Sequence, residues 1–219
     1  MRASEREEGI ILSGADRNGE GERSSRIERA LSRLSRRARL PLHAPDTAWH
    51  PGIERDLADF DPQWLAGGRT DGLASAVAYL AVLHLWNDGL DAAHGLVEKL
   101  ETPTGMLVHG IVHRRGGDYG NANDWFRLAG HHPCYHGLQA RAGAYLRQLP
   151  AGRDPLGDAI TKIASQGSWN PYLFSGAVAI HESRVDREDS TIWLERGQRL
   201  ELDAVLRYLE GNLAAFRES

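Results

Sequence analysis

The sequence has little cysteine, little lysine and no long apolar run. Cys134 is the only cysteine, which excludes an intrachain disulfide and a cysteine-rich zinc cluster. Lysine occurs only at Lys99 and Lys162, so the basic charge is almost all arginine. No stretch approaches the ~18 apolar residues of a transmembrane helix, and the charged N-terminus lacks the apolar core of a signal peptide. These absences predict a cytoplasmic protein without a membrane partner.

The chain also lacks a basic excess. Its formal net charge is −4, whereas a nucleic-acid-binding protein usually carries a strong surplus of Lys and Arg. The glycine-rich nucleotide-binding motifs and the calcium-binding EF-hand loop are absent as well. With 41% hydrophobic and 26% charged positions, the 219 residues suit a globular protein with a substantial core. We therefore expect no nucleic-acid partner.

Helical periodicity begins near Ser24 and dominates the rest of the chain. Residues 1–23 are polar and glycine-rich, which predicts a flexible N-terminal tail. From Ser24 the apolar residues follow the spacing of an amphipathic helix, and from Asp71 helical stretches alternate with clusters of Gly, Asn, Asp and Pro. No run alternates like a strand. We predict an all-α fold in which residues 24–219 form a single domain.

The last predicted helix covers residues 190–216 and carries an amphipathic stripe. The stripe consists of five apolar residues: Leu194, Leu202, Val205, Leu206 and Leu209. Such a stripe either closes the helical bundle or pairs with a second copy of the chain in a homodimer. We favour closure of the bundle.

An internal repeat appears at a shift of 29 residues, which places His84 over His113. Ala93 then matches Ala122, and Val97 matches Phe126. Each unit reads as a helix, a tight turn and a second helix, with boundaries near residues 73–101 and 102–131.

The second unit resembles the helical hairpin of tetratricopeptide and Sel1-like repeats. Gly110 stands at the small position where the two helices of such a hairpin cross closely, and Ala122 and Phe126 fit the second helix. His109 and His113 depart from the pattern, because they stand where Leu and Tyr are usual. The resemblance implies an array of stacked antiparallel hairpins with flanking helices.

The segment "HGIVHRRGGDYGNANDWFRLAGHHP" also resembles a family of helical proteins with the pattern HxIxHRRxxDYxNAxxWFRxxGxHP. No activity is established for that family. The resemblance therefore supports a helical fold and leaves the function open.

Five of the ten histidines lie between Val108 and His136, and two of them have metal-ligand spacing. His109 and His113 are one helical turn apart, so both imidazoles can bind one Zn²⁺ or another divalent transition metal. The glutamate of the HExxH motif is absent, and a third ligand must come from elsewhere. The repeat favours His84, and Glu182 is the second choice. His94, His131, His132 and His136 are further candidates.

Two other interpretations of these histidines stay open. As packing residues of a hairpin, they would be hydrogen-bonded by Asp118, Tyr119 or Asn121. Alternatively they act without metal, in acid–base chemistry or in contact with a ligand. The candidate ligand-binding residues are then His109, His113, Arg114, Arg115, Tyr119 and Asn121.

The arginines and the cysteine of this region have simpler interpretations. Arg114 and Arg115 at a helix C-terminus complement the helix dipole, or bind an anionic ligand. Cys134 between His132 and His136 gives little support for a Cys–His nucleophile, because i±2 neighbours on a helix do not face each other.

Two classes of function follow from these observations. The first is a non-enzymatic helical module that binds a protein or a small molecule in a groove between hairpins. The second is a metal- or histidine-dependent enzyme centred on His109 and His113, with His84 or Glu182 completing the site. We favour the first class, because no complete catalytic set can be assembled from the sequence.

Overall fold

The computed structural model of the chain describes residues 14–146, 154–183 and 188–218. Within these ranges every regular element is a helix, which confirms the predicted all-α class. In chain order the helices are α1 (Gly14–Leu34), α2 (Pro51–Ala58), α3 (Pro62–Leu65), α4 (Leu73–Trp86), α5 (Leu90–Val97), α6 (Pro103–Arg115), α7 (Tyr119–Ala129), the 3₁₀ helix η1 (Pro133–Tyr135), α8 (Leu138–Leu146), α9 (Pro155–Ala164), α10 (Pro171–Glu182) and α11 (Glu188–Glu218). None of these helices combines the length and the apolar character needed to cross a bilayer.

Proline and a capping side chain define where many of the helices begin. A proline in the first turn has a fixed φ suited to the helix and has no N–H to leave unpaired. The residue before it accepts a hydrogen bond from a backbone N–H of that turn. This pair starts six helices: His50-Pro51, Asp61-Pro62, Thr102-Pro103, His132-Pro133, Asp154-Pro155 and Asn170-Pro171.

Helix α4 lies at the centre of the protein. Ten of its residues, from Ala76 to Trp86, are buried, in agreement with its nearly uniform apolar sequence. It contacts α2, α3, α5, α6 and α11. The apolar stripe of α11 is buried in this chain too, so α11 closes the bundle as the sequence predicts.

Helices α5, α6 and α7 follow α4 as close neighbours, since α4 packs on α5, α5 on α6 and α6 on α7. Gly110 marks the closest approach of α6 to α7. A Cβ atom at this position would lie 2.5 Å from Cε1 of Phe126 and 3.1 Å from the carbonyl oxygen of Ala122. The small residue that the hairpin pattern requires is therefore needed for packing.

The N-terminal helix begins earlier than the sequence predicts. Helix α1 starts at Gly14, so residues 14–23, expected in the flexible tail, are helical. Ser24, where the apolar periodicity begins, therefore lies inside the helix. Residues 1–13 of the predicted tail lie outside the described residues.

Candidate metal centre

Three imidazole side chains converge on the surface shared by α5 and α6. His94 comes from α5, and His109 and His113 come from successive turns of α6. Each ring offers one nitrogen as a ligand, and these nitrogens all lie within 4.8 Å of one another. The spacing of His109 and His113 thus places both on one face of α6, where the neighbouring helix supplies the third ring.

The rings are held in fixed relative orientations. Nε2 of His109 lies 3.1 Å from Nε2 of His94. The His109 ring is stacked between two others, with its centroid 4.0 Å from that of Trp125 and 4.8 Å from that of His113. Trp125 of α7 therefore fixes the plane of the central histidine.

Two polar side chains at the start of α7 lie beside His113. Oδ2 of Asp118 is 4.0 Å from Nδ1 of His113, and Nδ2 of Asn121 is 3.4 Å from Nδ1 and 3.3 Å from Nε2 of the same ring. Asp118 also caps α7, because its Oδ1 accepts the N–H of Asn121. Asp118 thus starts α7, and the same carboxylate is close enough to influence His113.

Burial favours the neutral form of His109 and His113, which is the form that binds metal ions. His109 is only 4% exposed. Desolvation, together with the positive charges that His113 and His94 would carry, lowers its pKa to about 4. Desolvation also lowers the pKa of His113, with the charge on His94 adding to this and Asp118 opposing it. Near neutral pH, His109 and His113 thus each offer a lone pair to a cation without first losing a proton.

The structure places His84 away from this cluster. Its Nδ1 contacts Oε1 of Glu54 at 2.7 Å, and Oε2 of Glu54 accepts a hydrogen bond from Asn87. The predicted repeat led to His84 because it matches His113, but positions that match in two successive units need not be in contact. His94 lies on the intervening helix and reaches His109 directly. The partner of His109 is therefore His94, and the prediction of His84 for this role is corrected.

Glu182 and Tyr119 meet at a different place. The hydroxyl of Tyr119 donates a hydrogen bond to Oε2 of Glu182, and Oε1 of Glu182 contacts Nε2 of His43. No sequence pattern indicates His43, because it lies in an irregular segment far along the chain from both partners. Glu182 is thus engaged outside the three-histidine cluster.

Arg114 and Arg115 are fully buried and bind carboxylates of this chain. Arg114 pairs with Glu201, whose second oxygen accepts a hydrogen bond from Trp169 at 2.7 Å. Arg115 pairs with Asp88 at 2.6 Å and donates to the carbonyl oxygen of Leu85. Both arginines thus form ion pairs within the chain, in place of the predicted contact with an anionic ligand. Their partners are distant in sequence, so the pattern of α6 alone could not reveal them.

Cys134 is poorly suited to act as a nucleophile. The residue is buried, and burial raises the pKa of its thiol. Its neighbour His132 accepts the backbone N–H of Cys134 and contacts Thr104 Oγ1. His132 therefore shapes the start of η1 rather than activating the thiol.

Comparison of the chain with protein-family models, with curated proteins and with solved structures found no significant match. The chemistry of the site must therefore be argued from its geometry. Among the side chains that the structure describes, His94, His109 and His113 form a group of three ligand-bearing residues that could share one ion.

Proposed function

We propose that this protein binds a divalent transition-metal ion through His94, His109 and His113. The convergence of three imidazole nitrogens within 4.8 Å carries the proposal. Two ligands bound to tetrahedral zinc at 2.0–2.1 Å are separated by about 3.3 Å. The Nε2 atoms of His94 and His109 are already 3.1 Å apart. The ligand nitrogen of His113 would have to move by about 1.5 Å or less, through side-chain rotation, to reach the same zinc ion.

Zn²⁺ is the ion that this set of ligands fits best. Neutral imidazoles suit Zn²⁺, Co²⁺, Ni²⁺ and Cu²⁺, whereas Mg²⁺ and Ca²⁺ prefer oxygen ligands. Three protein ligands leave one tetrahedral position for water or for a donor atom of a ligand, as in catalytic rather than structural zinc sites. Such a centre serves either class expected from the sequence, because the fourth position can activate water or hold a bound molecule.

Contacts made by the histidine rings themselves favour the same arrangement. A metal-bound histidine usually donates its other ring N–H to a carboxylate or a carbonyl, which fixes the tautomer. Asp118, at 4.0 Å from Nδ1 of His113, is placed for that role if His113 binds the metal through Nε2. Trp125 stacks on His109 and limits the rotation of its ring.

The proposal extends to the type of helical array. A tetratricopeptide-like or Sel1-like stack would place α5 beside α6, which is how His94 reaches His109. The contacts of α4 with α5, of α5 with α6 and of α6 with α7 support such a stack, as does the close crossing at Gly110. The cytoplasmic location, the non-enzymatic binding role and the homodimer stay predictions from the sequence.

The direct test is metal titration of protein prepared without a His-tag and stripped with a chelator. We expect one Zn²⁺ per chain by elemental analysis and calorimetry. Bound Co²⁺ should also quench the fluorescence of Trp125, and this part of the signal should disappear in Trp125→Phe. His94→Gln and His113→Gln should each weaken binding by at least about 100-fold, because losing a residue that binds the metal costs at least as much as losing one that orients it.

The controls separate this site from the other histidines. His84→Gln should bind zinc like the unmodified chain, because His84 pairs with Glu54, and exposed His131→Gln should do the same. If stripped protein takes up no stoichiometric zinc, or if His94→Gln binds it normally, the proposal fails and the packing interpretation of the histidines is favoured.

A further inference from the structure

A cavity of about 280 Å³ opens between α1, α3 and α11, away from the histidines. Its walls are largely apolar and include Ile27, Trp64, Leu65 and Leu213. The Trp64 ring packs against Phe60, with ring centroids 5.8 Å apart. The cavity therefore offers a fixed aromatic surface and aliphatic walls to a small molecule.

The charges at this cavity are all of one sign. Glu28 of α1 and Glu210 of α11 contribute to its lining, and the lining contains no Lys, Arg or His. Among the side chains that the structure describes, neither carboxylate forms an ion pair. Arg207 is near Glu210 but binds Asp203 at 3.0 Å. The two glutamates thus leave negative charge uncompensated beside apolar walls.

Partial desolvation makes the charge of Glu210 less favourable in the ligand-free protein, although the side chain stays exposed to solvent. Desolvation raises the pKa of Glu210, although Arg207 opposes the shift, and the charge on Asp203 adds to it. A cation bound in the cavity would reduce this cost. An indole face attracts the same kind of group, because its quadrupole is negative above the ring.

We propose that this cavity binds a small organic cation, an ammonium group carried on an aromatic or aliphatic body. The body would pack on Trp64 and the aliphatic walls, and the ammonium group would lie near Glu28 and Glu210. A volume of about 280 Å³ limits the occupant to a small molecule. This inference is independent of the metal centre, which uses other helices.

Three probes with the same phenyl body and different charges test the proposal: phenethylamine, 2-phenylethanol and 3-phenylpropanoate. Calorimetry and Trp fluorescence should show that the amine binds about tenfold more tightly than the alcohol, from ion-pair and cation–π contributions of modest size. The carboxylate should bind most weakly. High salt should reduce the preference for the amine, because exposed charges are screened.

Matched variants locate the binding site. Glu28→Gln and Glu210→Gln should each reduce affinity for phenethylamine severalfold and leave 2-phenylethanol unaffected. Both glutamates are exposed enough for these variants to fold. Glu22→Gln, an exposed residue of α1 outside the lining, should change neither affinity. Equal binding of amine and alcohol, absence of amine binding, or unchanged affinity in both lining variants would overturn the proposal.

Discussion

Replacement of Glu201 by Gln tests how the interior of the protein holds a charge. Glu201 and Arg114 are both completely buried and pair with each other. Nε and Nη1 of Arg114 have no hydrogen-bond partner among the described residues, and its guanidinium lies over the ring of Phe174, 4.8 Å from the centroid. Glutamine keeps the volume and one hydrogen-bond acceptor but removes the anion. The substitution leaves the arginine charge buried and uncompensated.

The expected loss is about 3–5 kcal/mol in the free energy of unfolding, the usual cost of removing one partner of a buried pair. Urea denaturation followed by circular dichroism measures it. Arg141→Gln provides the comparison, because Arg141 makes a partly exposed ion pair with Asp203 at 3.1 Å. That variant should lose no more than about 1 kcal/mol. If Glu201→Gln costs as little as Arg141→Gln, the reasoning about desolvation at this pair is refuted.

Two further predictions concern stability. Gly110→Ala should lower the free energy of unfolding by about 1–3 kcal/mol, because the added Cβ meets Phe126 and Ala122. Gly95→Ala, on the exposed face of α5 with no atom within 4 Å, should be neutral or stabilising in the same urea titration. Equal effects of the two substitutions would contradict the close crossing. In metal-free protein, the contribution of the buried histidines to the free energy of unfolding should be fully present above pH 6.5 and should decline as the pH falls toward 4. Burial lowers the pKa values of His109 and His132 to about 4, so the unfolded chain binds more protons in this range. Unfolding curves at pH 7 and pH 5 check this, and the dependence should be shallower in His132→Gln; an unchanged midpoint would argue against burial of neutral histidines.

The local features of the fold follow from the sequence with few exceptions. The proline and capping pairs, the buried α4 and the apolar stripe of α11 depend on residues close together in the chain, so their patterns predict them well. The start of α1 was missed, because the polar residues 14–23 have no apolar periodicity to indicate a helix. Helical propensity alone gives only a weak indication in such a stretch.

The candidate site was predictable only in part, for a geometric reason. His109 and His113 belong to one helix, and their spacing alone places them on one face. The third ring depends on which residue of another helix faces them, and the repeat gives the equivalent residue rather than the adjacent one. His94 makes this contact because α5, which follows α4 and precedes α6 in the chain, packs against α6. The partners of Arg114 and Tyr119 are similarly distant, at Glu201 and Glu182.

The buried ion pairs and the histidine cluster are connected through α6. Arg114 and Arg115 directly follow His113, and they anchor the end of α6 to Glu201 of α11 and to Asp88 in the turn after α4. A binding site needs ligands on elements whose positions are fixed to a fraction of an ångström. The interior pairs supply that constraint on one side of α6, and Trp125 of α7 supplies it on the other by stacking on His109. The arginines that the sequence placed near a ligand therefore serve the candidate site indirectly, by fixing the helix that carries two of its three histidines.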